Sequence, residues 1–456
     1  MITNATPRSA TLLVAVWTFW AAVAAAQDQP PPARAPLTLQ RAIEISLSYH
    51  PSMGAARAME SEADARVGEA KANWWPALNL DGSLMRYQEQ MLVFPLHALD
   101  TSAFRFDRTL LQGHVSAGWT LWDGGARSAR IKTAQADGTV ASLGSEATEM
   151  SLIADVTAAY LRVLSARSTL DAEEQSLASL QAERNRVQQL LAEGRAARVE
   201  LLRVEAAIAQ AESERITTAA TLDAAERSLA RWLGIEPQYT TAEQLTPVGL
   251  MTAHAVGSRG ELVSQFEATN PDLAEAQQRT EAADWARRAA MSAWHPRLDI
   301  VGAYLLFSSP QFDVKGEWQA GVRLSYPLFT GGARSRAVSS ASARRTLAEE
   351  QLRLTQLQGE ETIDLALTAV RESQARADAV ETAVQHLAEV ARIEQLALEA
   401  GAGTQTDFLR ADADLRESRA QLIEARHMEI LARIQLARTT GELSVEWLAS
   451  TLETTQ

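Results

Sequence analysis

The chain has 456 residues, a net charge of −14 and no cysteine. The lack of cysteine excludes disulfide scaffolds, thiol catalysis, thiolate metal sites and lipid anchors on cysteine. The acidic balance argues against a nucleic-acid partner. Two tracts without proline, residues 96–236 and 328–456, are rich in Ala, Leu, Glu, Gln and Arg. Because proline inside a helix costs about 3 kcal/mol, these tracts predict unusually long helices.

The N-terminus has the pattern of an export signal. Residues 1–26 contain one basic residue, Arg8, then an apolar run, and end in three alanines before Gln27. This order of charge, apolar run and small residues predicts a cleaved signal peptide. A membrane-anchoring helix is the alternative, because the run approaches spanning length. Residues 27–38 then read as an extended linker containing several prolines.

The rest of the chain is an internal duplication. Proline-containing pairs recur at an offset of 220 residues, whereas a GGARS motif and the segments after it recur at an offset of 207. The offset changes because 48 residues separate Pro76 from Gly124 but 35 separate Pro296 from Gly331, which gives repeat 1 an extra 13 residues. The matched pairs are His50-Pro51 with Asn270-Pro271, Trp75-Pro76 with His295-Pro296, GGARS at 124–128 with 331–335, Gly194 with Gly401, and Leu202-Arg203 with Leu409-Arg410.

Both repeats predict the same order of elements: helix, strand, strand, long helix, helix. Proline ends the first helix of each copy, alternating apolar residues predict the strands, and double glycines mark the change to helical periodicity. The strand–helix joints are Pro76 with Gly124 and Gly125 in repeat 1, and Pro296 with Gly331 and Gly332 in repeat 2. Repeat 1 (39–236) is predicted to contain a helix at 39–74, strands at 77–86 and 111–122, and helices at 126–192 and 198–233. Repeat 2 (261–441) is predicted to contain a helix at 261–294, strands at 297–307 and 317–329, and helices at 333–399 and 404–440, with a linker at 237–260 and a tail at 442–456.

The predicted helices and strands both need partners. The 67 residues from Ala126 to Ala192 span about 100 Å as a helix, and their apolar seam is narrow, so the helix must pack on other long helices. Each strand has one apolar and one polar or small face, and Trp and Tyr cluster beside the strands as in interfacial girdles. Four strands cannot close a membrane barrel, so two or three chains would have to pool them. A soluble periplasmic protein with a small buried sheet is the alternative.

Segments of both repeats, in order, resemble the TolC-like outer-membrane efflux proteins. They are LTLQRAIEISLSYHPSMGAARA at 37–58, WWPALNL at 74–80, WTLWDGGARS at 119–128, WHPRLDI at 294–300, LSYPLFTGGARSRA at 324–337 and EAGAGTQTDFLRADADL at 399–415. The resemblance implies a mixed α/β membrane protein, a homotrimer whose twelve transmembrane strands form one β-barrel continued by a twelve-helix α-barrel. It also implies a place in the Gram-negative outer membrane, in contact with its lipid, with a long periplasmic extension. Implied partners are a periplasmic adaptor and an inner-membrane pump of the RND or ABC type, for efflux or type I secretion.

The same resemblance places candidate sites at the tips of the helix pairs. The turns at Gly194 and Arg195, and at Gly401 and Gly403, would face the adaptor. Aligning Gly401 with the family's turn glycine puts Asp407 on a gating ring of aspartates.

Arg410 stands at the next ring position, which is a departure from the family. It is therefore a candidate partner for Asp407. The family's linking arginine and tyrosine are replaced by Gly403 and Leu398. In repeat 1, Glu200 and Arg203 stand at the positions that match Asp407 and Arg410. Three carboxylates around a threefold axis would favour cations, although an aspartate is also favourable at any solvated helix N-terminus.

No motif predicts catalysis. The seven histidines are scattered, and there is no phosphate-binding loop, dinucleotide fingerprint or nucleophile elbow. We therefore expect no enzyme activity, cofactor or metal. The competing function is a periplasmic coiled-coil adaptor, against which the duplicated strand pairs argue. An export component for proteins or polysaccharide would share the fold, so the cargo is not predicted.

Overall fold

The structure, a computed structural model, describes residues 36–95, 104–236, 245–251, 256–400 and 402–454. The predicted signal peptide, Gly401, most of the first linker and part of the second lie outside the described residues. None of the described helices is long and apolar enough to cross a membrane.

The described residues of repeat 1 form six elements. They are α1 (Leu39–Tyr49), α2 (Pro51–Ala72), β1 (Ala77–Leu92), β2 (Phe106–Trp122), α3 (Ala126–Ala192) and α4 (Arg198–Leu233). Repeat 2 and its flanking segments contain β3 (Val248–Leu250), α5 (Arg259–Thr269), α6 (Pro271–Met291), β4 (Arg297–Ser309), β5 (Phe312–Ser325), α7 (Ala333–Glu399), α8 (Gln405–Thr440), α9 (Val445–Thr451) and β6 (Leu452–Thr454). The bounds of α3, α4 and α7 coincide with those predicted. Gly125 and Gly332 have positive φ angles where α3 and α7 begin, and Gly194 and Gly234 have them where α3 and α4 end.

The single helices predicted at 39–74 and 261–294 are wrong. Each is two helices, broken at His50-Pro51 and at Asn270-Pro271, with a short 3₁₀ turn ending the second segment of repeat 2. The residue before each proline is extended, and its side chain accepts a backbone N–H of the next helix: Ser52 N–H for His50 and Leu273 N–H for Asn270. Proline at the first helical position and a capping side chain before it therefore start a new helix.

The predicted strand bounds need correction. β1, β2 and β4 extend beyond 77–86, 111–122 and 297–307, because backbone pairing continues past the alternating apolar segments, in β1 across a register shift between Arg86 and Met91. β5 begins earlier and ends earlier than the predicted 317–329. Pro327 has no N–H for a β-ladder, which fits the end of β5 at Ser325.

Two helix starts also differ from prediction, and two segments predicted as linker and tail contain helices or strands. α8 begins at Gln405 because Thr404 is its N-cap, and α5 begins at Arg259 because Ser258 and Glu261 form a capping box. The predicted linker contains β3, and the predicted tail contains α9 and β6, which pairs with β3.

The four long strands form one antiparallel sheet in the order β1-β2-β4-β5. The hairpin register is the same in both repeats, since Ala77 lies opposite Gly118 and Arg297 lies opposite Ser325. β2 and β4 join the repeats, and among the described strands β1 and β5 are each paired on one side only. Exposed apolar side chains on these two edge strands include Leu78, Leu80, Leu84, Trp318, Val322 and Leu324.

The main apolar core lies midway along α3, where α1, α9 and the C-terminal ends of α4 and α8 meet it. Tyr160 is fully buried there, and its hydroxyl lies 2.7 Å from the carbonyl oxygen of Leu37, 2.8 Å from that of Thr246 and 2.9 Å from the Thr246 N–H. The Tyr160 hydroxyl therefore holds two segments against α3, the one that enters repeat 1 at Leu37 and the one that leaves it at Thr246.

Candidate functional site

The tips of the two helix pairs are built by equivalent turns. In repeat 1, Gly194 has a φ of +73°, and the Arg195 N–H donates to the Leu190 carbonyl at 2.8 Å. This is the Schellman arrangement that ends many helices. In repeat 2 the Ala402 N–H donates in the same way to the Ala397 carbonyl at 2.8 Å. The predicted tip residue Gly401 lies outside the described residues.

Gly403 is packed closely against the end of α7. A Cβ at this position would lie 2.9 Å from the Cβ of Ala397 and 3.1 Å from the backbone nitrogen of Leu398. The turn therefore has little room for the arginine that the family resemblance implied here. The departure from the family has a steric reason in this chain.

The candidate gate residues Glu200 and Asp407 occupy the same place in the two repeats. Each is the third residue of its helix, and each is exposed. Asp407 accepts a hydrogen bond from the Thr404 hydroxyl at 2.5 Å, while its own N–H donates to that hydroxyl oxygen at 3.2 Å. The N-cap of α4 is Ala197, which provides no such bond. The structure thus holds the Asp407 carboxylate in place but leaves that of Glu200 without a cap partner.

Arg410 does not pair with Asp407. Within the described part of the chain, Arg410 and Arg203 are exposed and neither forms an ion pair with Asp407 or Glu200. The next ion pair along α8 joins Asp412 and Arg416, which line a small cleft with Ser176 and Ser179 of α3. The expected pairing of Asp407 with Arg410 is therefore not made within one chain.

A charged cluster near the tip of repeat 1 was not predicted from the sequence. Glu183 on α3 is buried and accepts two hydrogen bonds from Arg186, at 2.7 and 2.8 Å. The pKa of Arg186 is raised, chiefly by the hydrogen bond to Glu183 and further by the nearby charges of Glu183 and Glu200. Repeat 2 has an exposed Glu389–Arg392 pair one residue before the equivalent positions, so among the described residues the buried carboxylate occurs at one of the two tips.

His427 lies buried between α8 and α3. Its Nδ1 is 2.6 Å from the Ser165 hydroxyl oxygen, and burial lowers the pKa of His427 from 6.5 to about 4. The ring is therefore neutral in the folded protein at neutral pH. Among the described residues, no group of His, Asp and Glu side chains could hold a metal ion.

Replacing His427 by Gln should protect the protein from mild acid. The unfolded chain binds a proton near pH 6.5 whereas the folded chain does so only near pH 4, so stability falls as the pH drops through this window. The loss should reach about 2–3 kcal/mol at pH 4 in the wild type and be absent at this site in His427→Gln. Thermal unfolding at pH 7 and pH 4.5 measures it, with the exposed His386→Gln as control. Equal acid sensitivity of both variants would show that His427 is not the responsible group.

The strand–helix joints carry a repeated arginine contact, which sequence reasoning also missed. Arg127 stacks on Trp74, with its guanidinium carbon 4.3 Å from the ring centre, and donates to the backbone carbonyls of Asn73 and Leu121. Arg334 makes the equivalent contacts with Trp294 at 4.6 Å and with the carbonyls of Ala293 and Leu328. Each arginine thereby ties the end of one helix to the end of a strand. The signal was present in the sequence, since both arginines belong to GGARS.

The two joints differ in charge. The Nε of Arg127 lies 3.3 Å from Asp123, and both side chains are largely buried. The residue equivalent to Asp123 is Thr330, and Arg334 has no carboxylate partner among the described residues. The predicted joint glycines have positive φ angles from +59° to +88°, and Gly125 and Gly332 are the N-caps of α3 and α7.

A four-stranded sheet joined through paired glycines to duplicated helices of this length defines the fold of an outer-membrane channel. A membrane protein from Pseudomonas aeruginosa has this fold, with a TM-score of 0.74 and 21% identity over 88% of this chain and 93% of that one. The CmeC outer membrane channel of Campylobacter jejuni has a TM-score of 0.73 at 13% identity, over 90% of this chain and 88% of that one.

The family model for outer membrane efflux proteins matches residues 42–235 and 262–442, one segment in each repeat. Protein CyaE of Bordetella pertussis is 25% identical over 441 residues, which cover 92% of this chain and 89% of CyaE. The chain therefore belongs to the outer membrane efflux protein family. Its place is the Gram-negative outer membrane, with the helices extending into the periplasm.

Proposed function

We propose that three copies of the chain form a passive exit duct across the outer membrane. The observation that carries this proposal is the pair of sheet edges, β1 and β5, which have one strand partner each among the described residues and expose apolar side chains. Unpaired backbone groups are too costly in lipid, and four strands are too few to close a barrel. Three copies pool twelve strands into one barrel, as the family resemblance implies.

The helices continue the duct into the periplasm. α3 and α7 have 67 residues each, which correspond to about 100 Å of helix. With α4 and α8 returning beside them, three chains provide twelve helices for a tunnel. Its far end would bind a periplasmic adaptor and receive cargo from an inner-membrane pump of the RND or ABC type. Efflux of small molecules and type I secretion of proteins both use such a duct.

Asp407 is the gate residue of this proposal. Three Asp407 carboxylates, each held by its Thr404 cap, would meet around the axis at the narrow end of the tunnel. A ring of negative charge in a constriction attracts cations and repels anions. The Glu183–Arg186 cluster beside Glu200 would hold the neighbouring tip of repeat 1 in position.

Asp407→Asn should lower the preference of the channel for cations. Removing three charges from one constriction should reduce the cation-to-anion permeability ratio several-fold, on the order of the tenfold change that 1.4 kcal/mol produces. Single-channel recordings of the full-length protein in planar bilayers under a salt gradient measure this ratio. Glu424→Gln, an exposed carboxylate further along α8, is the control and should change nothing.

The recordings test the gating role of Asp407 and the channel function of the protein separately. A conducting channel whose selectivity is the same in wild type and Asp407→Asn would contradict the gate but leave the duct standing. The absence of any conductance from correctly inserted wild-type protein would contradict the duct itself.

A further inference from the structure

The arginine at the second strand–helix joint lacks the anion that its counterpart at the first joint has. The Nε of Arg127 lies 3.3 Å from the carboxylate of Asp123. The position equivalent to Asp123 is Thr330, and among the described residues Arg334 forms no ion pair. Its guanidinium donates to two backbone carbonyls at 3.4 and 3.5 Å, which are long for hydrogen bonds. Arg334 is therefore a cation whose donors are poorly satisfied.

Apolar and aromatic groups surround this cation and are themselves open to the surroundings. The guanidinium carbon of Arg334 lies 4.6 Å from the ring centre of Trp294 and 5.5 Å from that of Tyr326. The two residues are 49% and 44% exposed, and Leu328, whose carbonyl accepts from Arg334, is 86% exposed. The joint thus presents a positive charge next to apolar surface.

The joint lies where the apolar face of the sheet gives way to the helices. Tyr326 continues the alternation of the exposed residues Trp318, Val322 and Leu324 along β5. Arg334 belongs to the first turn of α7, which extends into the periplasm. Aromatic and arginine side chains at such a boundary stand at the level of the lipid headgroups.

We propose that Arg334, Trp294 and Tyr326 form a binding site for an anionic phospholipid of the periplasmic leaflet. The guanidinium of Arg334 donates N–H groups to the phosphate oxygens, for which its planar fork is suited. The exposed side chains of Tyr326 and Leu328 contact the start of an acyl chain. This assignment rests on the proposed membrane position of the sheet, and it adds the class of lipid that the duct binds.

Repeat 1 shows what an anion does at this place. The carboxylate of Asp123 accepts the backbone N–H groups of Gly125 and Arg127 as well as the Arg127 side chain. The double glycines of both joints have left-handed φ angles, from +59° to +88°, so the two turns share one backbone shape. An aspartate introduced at Thr330 would therefore meet Arg334 as Asp123 meets Arg127. Thr330→Asp should thereby displace the lipid phosphate without removing the arginine.

The experiment uses the full-length protein in nanodiscs of phosphatidylcholine with a minor share of phosphatidylglycerol. Native mass spectrometry of the protein released from the nanodiscs gives the composition of the lipids that it retains. The wild type should retain phosphatidylglycerol at about five times its share of the bilayer, the ratio expected of one arginine at an anionic headgroup. In Thr330→Asp and in Arg334→Gln the retained lipids should return to the bilayer composition.

Two variants serve as controls. Thr330→Asn has nearly the shape of the aspartate without its charge and should keep the enrichment. Arg353→Gln removes an exposed arginine of the same helix, about 28 Å further from the joint, and should also keep it. Equal enrichment in the wild type and Thr330→Asp, or none in the wild type, would overturn the lipid site. If that protein still conducts in bilayers, the proposed duct stands.

A second measurement separates a lipid from a soluble anion. Phosphatidylglycerol added to the detergent-solubilised wild type should raise its unfolding temperature, whereas inorganic phosphate at the same concentration should not, because it has no acyl chain for Tyr326 and Leu328. Thr330→Asp should not respond to the lipid, since its own carboxylate occupies the site. An equal response to inorganic phosphate would show a general anion site and overturn the assignment to a phospholipid.

Discussion

Gly441→Ala should destabilise the protein by about 3–4 kcal/mol. Gly441 ends α8 with a φ of +83°, and a Cβ there would lie 2.5 Å from the carbonyl oxygen of Thr269 and 2.6 Å from its carbon. The clash is with backbone, which cannot rotate away. Thr269 belongs to the break between α5 and α6, so relief would require moving that helix end.

The control for this prediction is Gly194→Ala. Gly194 has a similar φ of +73°, but nothing lies within 4 Å of an added Cβ. Gly194→Ala should therefore destabilise the protein by only about 1 kcal/mol, the cost of a left-handed backbone conformation at a residue with a side chain. Thermal unfolding of both purified variants, followed by circular dichroism, measures the difference. Similar unfolding temperatures for the two would mean that the helix end adjusts freely and the contact is not tight.

Arg127→Ala should cost about 2–3 kcal/mol, the second large effect. The substitution leaves Asp123, which is largely buried, without its cation, and removes the stacking on Trp74 together with donors to two backbone carbonyls. Two N–H groups, of Gly125 and Arg127, still bond to Asp123, which keeps the loss below that of an isolated buried charge.

Arg334→Ala provides the matched comparison. It removes the same stacking and the same kind of backbone contacts, but no ion pair. We expect a loss of about 1 kcal/mol. Thermal unfolding of the two variants side by side isolates the contribution of Asp123. Equal losses would show that the ion pair at the first joint adds nothing to the stacking.

The long helices were predictable because their signals are local. Proline-free tracts bounded by glycines gave α3, α4 and α7 with the bounds that the structure has. The prediction of one uninterrupted first helix in each repeat is wrong for a reason that is also local. Pro51 and Pro271 each start a new helix, because a proline at the first helical position follows a capping residue, His50 or Asn270.

The candidate sites were harder to predict because they depend on atoms that are distant in sequence. The positions of Glu200 and Asp407 follow from the repeat, but the capping bond from Thr404 to Asp407 needed coordinates. Arg127 reaches Trp74 across 53 positions of sequence, and periodicity cannot show such a contact. The tight packing of Gly403 against Ala397 likewise needed coordinates.

The sequence by itself determined the duplication, the order of elements and the family, because offsets of 220 and 207 residues and repeated motifs are properties of the chain alone. Only the tertiary structure decided which strand edges and side chains remain exposed. Strand order and register arise from backbone pairing between segments far apart, and among the described strands they leave β1 and β5 paired on one side only. Where the two repeats meet, the Trp122 ring packs edge-on against His295, whereas Phe329, which is equivalent to Trp122, is exposed, and only coordinates show this difference.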